Sequence, residues 1–476
     1  LGSLAGTKTV ELNGKITLGK NAKSSIGAWV GDTEQKLDAG KLNGKDETDR
    51  RLKRSGDITA KENSIIEVGG ENNFGFVVNN SAHSSEFEKS KSDKVSFTKD
   101  EYEMYQRYIA GKSTAVDKAH ASYKEITKID NLIYKTDKVN HGRGINKGKI
   151  TVTGSSSVGF AMVKGGNSEN TDKGIISVGN TAKKSIAFYG EQDKFTNKGK
   201  IEATANTDSG NENTAVYLNG KNDNKIHFIN EGDISLKEKT AGSGAKDNVA
   251  IYAQGKYHFE HNKGAINVAA SGVGLYLKGD KGGIADIAST IKLKDNTSSS
   301  TTIGVYSDGD AKVNFKHGSK LEIGKGGIGL YSANAAKFNN TFTIENKLKT
   351  ILGENSTLAY LKGDNTKTTN VGDFLNKIDL ETDMGKNSNL VYATDGAKAI
   401  LDKDTTITQG GVESTAVLSA NNGSTVEVAK DKELKTNTHT ALLANKATAS
   451  NEGDINSTRE KGIGIYAVDS KDSGKG

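Results

Sequence analysis

One short pattern returns along almost the whole chain: an aliphatic or β-branched residue, Gly or Ala, another apolar residue and then, in most copies, Tyr. Copies include Ile26-Gly27-Ala28-Trp29, Phe74-Gly75-Phe76, Val158-Gly159-Phe160, Ile186-Ala187-Phe188-Tyr189, Val273-Gly274-Leu275-Tyr276 and Ile328-Gly329-Leu330-Tyr331. The series runs on through Leu358-Ala359-Tyr360 and Leu390-Val391-Tyr392 to Ile463-Gly464-Ile465-Tyr466. From Tyr189 onward the copies recur about every 23 to 35 residues, the period range of solenoids. A second motif lies between them: Asn, one residue, Gly, one residue, Ile. It occurs as Asn146-Lys147-Gly148-Lys149-Ile150, Asn197-Lys198-Gly199-Lys200-Ile201, Asn230-Glu231-Gly232-Asp233-Ile234, Asn262-Lys263-Gly264-Ala265-Ile266 and Asn451-Glu452-Gly453-Asp454-Ile455. Each Gly-containing turn leads into a short run alternating apolar and polar residues, the pattern of a half-buried strand.

A single unit of this kind cannot bury its own apolar face. Stacked in parallel, each strand pairs with its equivalents above and below, and a continuous core results. The fold class this predicts is all-β, a right-handed parallel β-helix. At about one coil per 26 residues and about 4.8 Å per strand, a rod of roughly 80 to 90 Å is expected. Composition agrees: hydrophobic residues are 33% and aromatics 6%, too few for one thick core, while Gly numbers 56 and Pro is absent. Proline cannot donate into a sheet ladder and is shunned by central strands. Tyr at a fixed register, as at Tyr189, Tyr217, Tyr252, Tyr276, Tyr306, Tyr331, Tyr360, Tyr392 and Tyr466, would place rings about one strand spacing apart and support the stack. The pattern leaves open whether these rings point inward or outward.

Residues 81–140 break the repeat and read as helix, which divides the chain into coils at 1–80, a helical insertion at 81–140 and a repeat array at 141–476. Thr98-Lys99-Asp100-Glu101 resembles a capping box, followed by Tyr102, Tyr105, Tyr108 and Ile109 at helical steps and a stop at Gly111. A second helix is predicted from about Thr114, with Val116, Ala119, Tyr123, Ile126 and Ile133 near one face. Because the coils are committed to stacking, a long insertion is where contacts with a partner are expected. Tyr102, Tyr105, Arg107 and Tyr108 are the candidate binding residues, since Tyr and Arg are enriched at binding hot spots.

The composition weighs against most chemistry. No Cys is present, which excludes thiolate catalysis, Cys-ligated zinc and disulfides. A formal charge of +6 spread over 476 residues is too dilute to argue for nucleic acid. Ala110-Gly111-Lys112-Ser113-Thr114 has the tail of a phosphate-binding loop, but Gln106 stands where its first Gly is needed. Asp208-Ser209-Gly210 and Asp472-Ser473-Gly474 lack the Gly that precedes an activated Ser. Asp308-Gly309 and Asp395-Gly396 read as turns. The eight His, including His258 and His261, show no metal-ligand spacing and are expected on the solvated surface. No catalytic residue, cofactor or metal is predicted, and the chain is expected to be monomeric and not an enzyme.

With the repeats in view, motifs such as Ile328-Gly329-Leu330-Tyr331 separated by Asn-Lys-Gly-Lys-Ile turns resemble the passenger repeats of large type V autotransporter adhesins, above all fusobacterial RadD-like members. The resemblance covers most of the chain apart from 81–140 and carries over no binding residue. It implies a rod on the bacterial cell surface, a processed piece of a parent chain with a C-terminal outer-membrane barrel. It also implies a receptor or glycan on other bacteria or host cells as the partner. A structural spacer stalk and a carbohydrate-active β-helix enzyme are the alternative readings.

Overall fold

The computed structural model describes residues 10–31, 57–79, 104, 107, 114–119 and 142–468, apart from short segments at 165–166, 207, 209, 221–224, 280–281, 297–299, 309, 364–366 and 412. The backbone of Gly2–Ser3 is also placed. Among these residues the chain is a parallel β-helix. Each coil supplies one strand to each of three sheets, and every pairing between coils is parallel. We call the sheets the tyrosine face, the asparagine face and the third face.

A representative coil runs through Asp193–Asn197 on the asparagine face, Lys200–Thr204 on the third face and Thr214–Gly220 on the tyrosine face. The tyrosine face is continuous through 15 strands, from Gly2–Ser3 to Ile463–Val468. The asparagine and third faces are unbroken for 10 and 11 strands, and then continue as sheets of four and three. Short helices at Phe338–Thr341 and Gly372–Leu375 fall where the two faces break. Fifteen strands leave fourteen spacings, so the stack is roughly 67 Å long at about 4.8 Å each. The expected 80 to 90 Å is too long, because residues 32–57 and 80–143 lie between strands without adding a coil.

Both long excursions leave from the same corner, between the tyrosine and asparagine faces. The chain departs after Gly31 and after Asn79 and re-enters at Ile58 and at Gly144. The coils on either side remain paired directly, Phe76 with Phe160 and Thr59 with Ile145. The stack closes beneath the insertion, so the insertion does not interrupt the ladder.

The repeat motif is explained by what each position meets. The Gly or Ala position sits against the next coil: a Cβ on Gly159 would lie 2.8 Å from the Ala187 carbonyl oxygen, and one on Gly304 2.6 Å from that of Gly329. Little side chain fits there in these coils, whereas Leu358, Leu390 and Val417 fill the same position in later ones. The following residue fills the core, as Phe160, Phe188, Val216, Ile251 and Leu275, all fully buried. In the early coils the core is aromatic: Phe76 and Phe160 stack at 4.8 Å with planes 4° apart, and Phe188 packs on Phe195 at 4.1 Å. Stacking and dispersion within one continuous core thus replace the thick globular core that the composition cannot supply. Truncating Phe160 to Ala opens a cavity between coils, and we expect it to destabilise the rod by about 3–5 kcal/mol in denaturant melts.

Candidate functional site

Tyr189, Tyr217, Tyr252, Tyr276, Tyr306, Tyr331, Tyr360 and Tyr392 occupy one register on the tyrosine face. They alternate with buried neighbours such as Val216 and Leu218, and are themselves half-buried. The rings therefore point outward, which settles the orientation the sequence left open. From Tyr252 to Tyr392 consecutive rings stack with centroids 4.6–5.3 Å apart and planes 11–25° apart. Tyr189, Tyr217 and Tyr252 meet edge-on at 85° and 86°. Amides tie down three hydroxyls: Asn219 donates to Tyr189, Gln254 to Tyr217 and Asn421 to Tyr392, each at 2.9 Å. Burial, with neighbouring phenols adding to it, pushes the Tyr360 hydroxyl up to about 12. Where rings lie face to face, their faces are spent on one another, and the ladder presents edges and hydroxyls outward. Tyr466 does not extend this ladder, because Ser419 and Leu443 occupy its register on the intervening coils.

Two buried polar ladders hold the corners. Where the asparagine face turns into the third face, Asn146 Nδ2 donates to Asn170 Oδ1, Asn170 to Asn197 and Asn197 to Asn230, each at 2.7 Å. All four are fully buried. The next member is His261, whose Nδ1 lies 3.0 Å from Asn230 Nδ2 and whose Nε2 lies 3.1 Å from the Thr290 carbonyl oxygen. Amide donor on one side and carbonyl on the other fix a neutral ring with its proton on Nε2. Burial drives His261 down to about 4. The expectation that the His are solvated is wrong for this residue. Asn262, which the turn motif aligns with Asn230, is exposed and outside the ladder, because the His261–Ile266 corner carries one residue more than Asn230–Ile234.

At the corner entering the tyrosine face, a residue in the left-handed region precedes a buried Ser or Asn. Asn72, Ser156 and Lys184 supply the positive φ, at 49–56°. The buried residue then accepts from the backbone N–H one coil below: Asn73 from Ser25 at 2.8 Å, Ser157 from Asn73 at 3.0 Å, Ser185 from Ser157 at 3.2 Å and Asn213 from Ser185 at 3.0 Å. Sequence reading misses this ladder, since Ser and Asn substitute for one another in it and the spacing varies.

In the insertion, Arg107 and the helix Ala115–Ala119 are described. The Arg107 guanidinium grips the Asp117 carboxylate through Nε at 2.8 and 3.1 Å and through a terminal nitrogen at 2.5 Å. Asp117 also accepts from the Thr114 N–H at 2.8 Å, while the Thr114 hydroxyl accepts from the Asp117 N–H at 3.1 Å, a reciprocal cap at the predicted helix start. The Arg107 hydrogen bond, and then that from Thr114, holds Asp117 well below the usual carboxylate range. The predicted apolar face is not seen here: Val116 is 81% exposed and Asp117 is buried, because this ion pair turns Asp117 inward. Arg107 is thus engaged within the insertion. Tyr102, Tyr105 and Tyr108 lie outside the described residues.

On the outer surface of the asparagine face, His227 and His258 stack with ring centroids 4.8 Å apart and planes 7° apart. His227 Nε2 lies 2.6 Å from Glu260 Oε1, and His258 Nε2 lies 2.9 Å from Asp286 Oδ2. Burial raises both carboxyls, but hydrogen bonds outweigh it and leave both below their ordinary range. For Glu260 these come from His227 and Asn262, and for Asp286 from Asn314 and His258. His227 and His258 are 31 positions apart and meet only through strand register, so no local spacing announces them.

Comparison with family models, curated proteins and solved structures finds no match to this chain.

The Asn ladder predicts that Asn197→Ala, which strands its neighbours' amide groups, costs about 1–3 kcal/mol, while Asn262→Ala on the surface is nearly silent. His261 adds a pH dependence. The unfolded chain takes up this proton near pH 6.5 and the folded chain not until about 4, so the stability tied to His261 is complete above pH 6.5 and is lost as pH falls toward 4. His261→Asn should flatten that part of the melting temperature profile between pH 7 and 4.5.

Proposed function

We propose that this chain is a segment of a bacterial cell-surface adhesin, a passenger rod that attaches to other bacteria or host cells. One observation carries the reading: both long excursions, 32–57 and 80–143, leave a rigid stack at one corner while the coils beneath stay paired. A stack whose core is spent on its own coils supplies reach, and material projected from one corner supplies contact. The resemblance of the repeats to autotransporter passengers supports the surface location and a glycan or protein receptor as partner. The outward tyrosine ladder gives a second polar and aromatic surface beside that corner.

Within this reading the insertion is the contact element, with Tyr102, Tyr105 and Tyr108 as the residues that meet the partner. Arg107 acts by holding Asp117 and thereby the cap of the following helix. The test compares the labelled chain with a version in which 81–140 is replaced by a short Gly/Ser turn, checked by circular dichroism for retained β structure. Binding to a panel of bacterial and host cells should be lost with the insertion. Equal binding by both versions would move the contact to the coils, and binding by neither would favour a spacer stalk. We further expect Tyr105→Ala to weaken cell binding without changing the melt, whereas Arg107→Ala loosens the insertion and should raise its protease sensitivity.

A further inference from the structure

We propose that His227, His258 and Glu260 form a binding site for a divalent transition-metal ion of the zinc class, with Asp286 as the positioning carboxylate. The three ligating residues converge on the outer surface of the asparagine face, with one donor atom from each lying within 4.8 Å of the others. His227 and His258 stand at the same register on the adjacent strands Ile226–Asn230 and Tyr257–His261, and Glu260 lies two residues beyond His258 on the same side. Two imidazoles and a carboxylate are a donor set suited to zinc.

The hydrogen bonds already orient these donors as a metal requires. His258 Nε2 lies 2.9 Å from Asp286 Oδ2, and the other oxygen of Asp286 accepts from Asn314 Nδ2 at 2.7 Å. Asp286 therefore accepts the Nε2–H hydrogen bond of His258, which leaves an unprotonated Nδ1 3.6 Å from Glu260 Oε1. Two acceptors then face one another, an arrangement a cation relieves. A carboxylate that holds the far nitrogen of a ligating His is the recurring outer shell of zinc sites. A tetrahedral ion with bonds of about 2.0–2.1 Å keeps its donors about 3.3 Å apart. The His258–Glu260 pair nearly has this separation. The 2.6 Å contact of His227 Nε2 with Glu260 opens when the neutral imidazole carries its proton on Nδ1 instead, which frees the Nε2 lone pair for the ion.

The residues are only partly exposed, with side-chain accessibilities of 31%, 21% and 24% for His227, His258 and Glu260. They sit on a rigid ladder, so little ordering is needed on binding. The ion would bridge two successive coils and leave at least one coordination position for water or for a donor from a partner. The absence of Cys removes thiolates as competing ligands in the same chain.

The test is titration of the full chain, stripped of metal by chelation, with zinc in competition with a chromophoric chelator. We expect one saturable zinc site assigned to this cluster. His227→Asn combined with His258→Asn should abolish it. Asp286→Asn, which keeps shape but exchanges the acceptor, should weaken it about 10- to 100-fold with no change in stoichiometry. Circular dichroism and thermal melts confirm that each variant is folded. The proposal is overturned if the folded wild-type chain shows no saturable binding or if the double variant binds with wild-type affinity. Should the double variant fail to fold, Asp286→Asn decides alone: unchanged affinity sinks the proposal.

Discussion

Everything in this structure depends on identical positions of successive coils lying in register one strand spacing apart. Parallel backbone pairing sets that spacing, and the side chains then repeat it as ladders: phenylalanine inside, tyrosine outside, asparagine and serine at the corners. The corner ladders carry the specificity. A buried amide with no partner costs far more than a satisfied one gains, so a coil that slipped by one residue would strand Asn170, Asn197 and Asn230 together. The apolar core alone tolerates many packings, whereas the amide ladder admits one register.

This register also explains why the chain can take up long excursions. Strands on either side of 80–143 pair as if nothing intervened, since the stack is built from contacts between coils and not from connections along the chain. The corner between the tyrosine and asparagine faces carries both large excursions, while the asparagine corner stays short, as in Asn146–Lys149 and Asn197–Lys200. The asparagine corner takes small additions: Asn170–Ile176 is two residues longer than Asn146–Ile150 with the amide ladder intact, and one residue is added after His261, where the amide gives way to an imidazole.

Much of this was legible in the sequence, and the remainder has identifiable physical causes. The solenoid, the tyrosine register and the Asn-x-Gly turns could be read because the same residue types return at similar spacing. Asn170 escaped because its turn is longer, and Asn262 misled because it fits the turn motif while the chain places His261 at the ladder position. The serine and asparagine ladder escaped because either side chain can accept the same N–H. Val116 is the opposite case: an apolar residue at helical spacing that the Arg107–Asp117 pair leaves in solvent. The His227–His258 cluster could not be read from any local window, since it exists only once the 31-residue register is known.

That register is what a direct measurement should address, and a chain without Cys is suited to it. Glu202 and Ser235 are register partners on the outer side of the third face, and Ser177 lies one coil further from Ser235. Cysteines at 202 and 235 should be joined rapidly by a bifunctional thiol reagent too short to span two coils, while cysteines at 177 and 235 should remain unlinked. Failure of the first pair to link in folded protein, or equal linking of the second, would contradict the coil register from which this account is built.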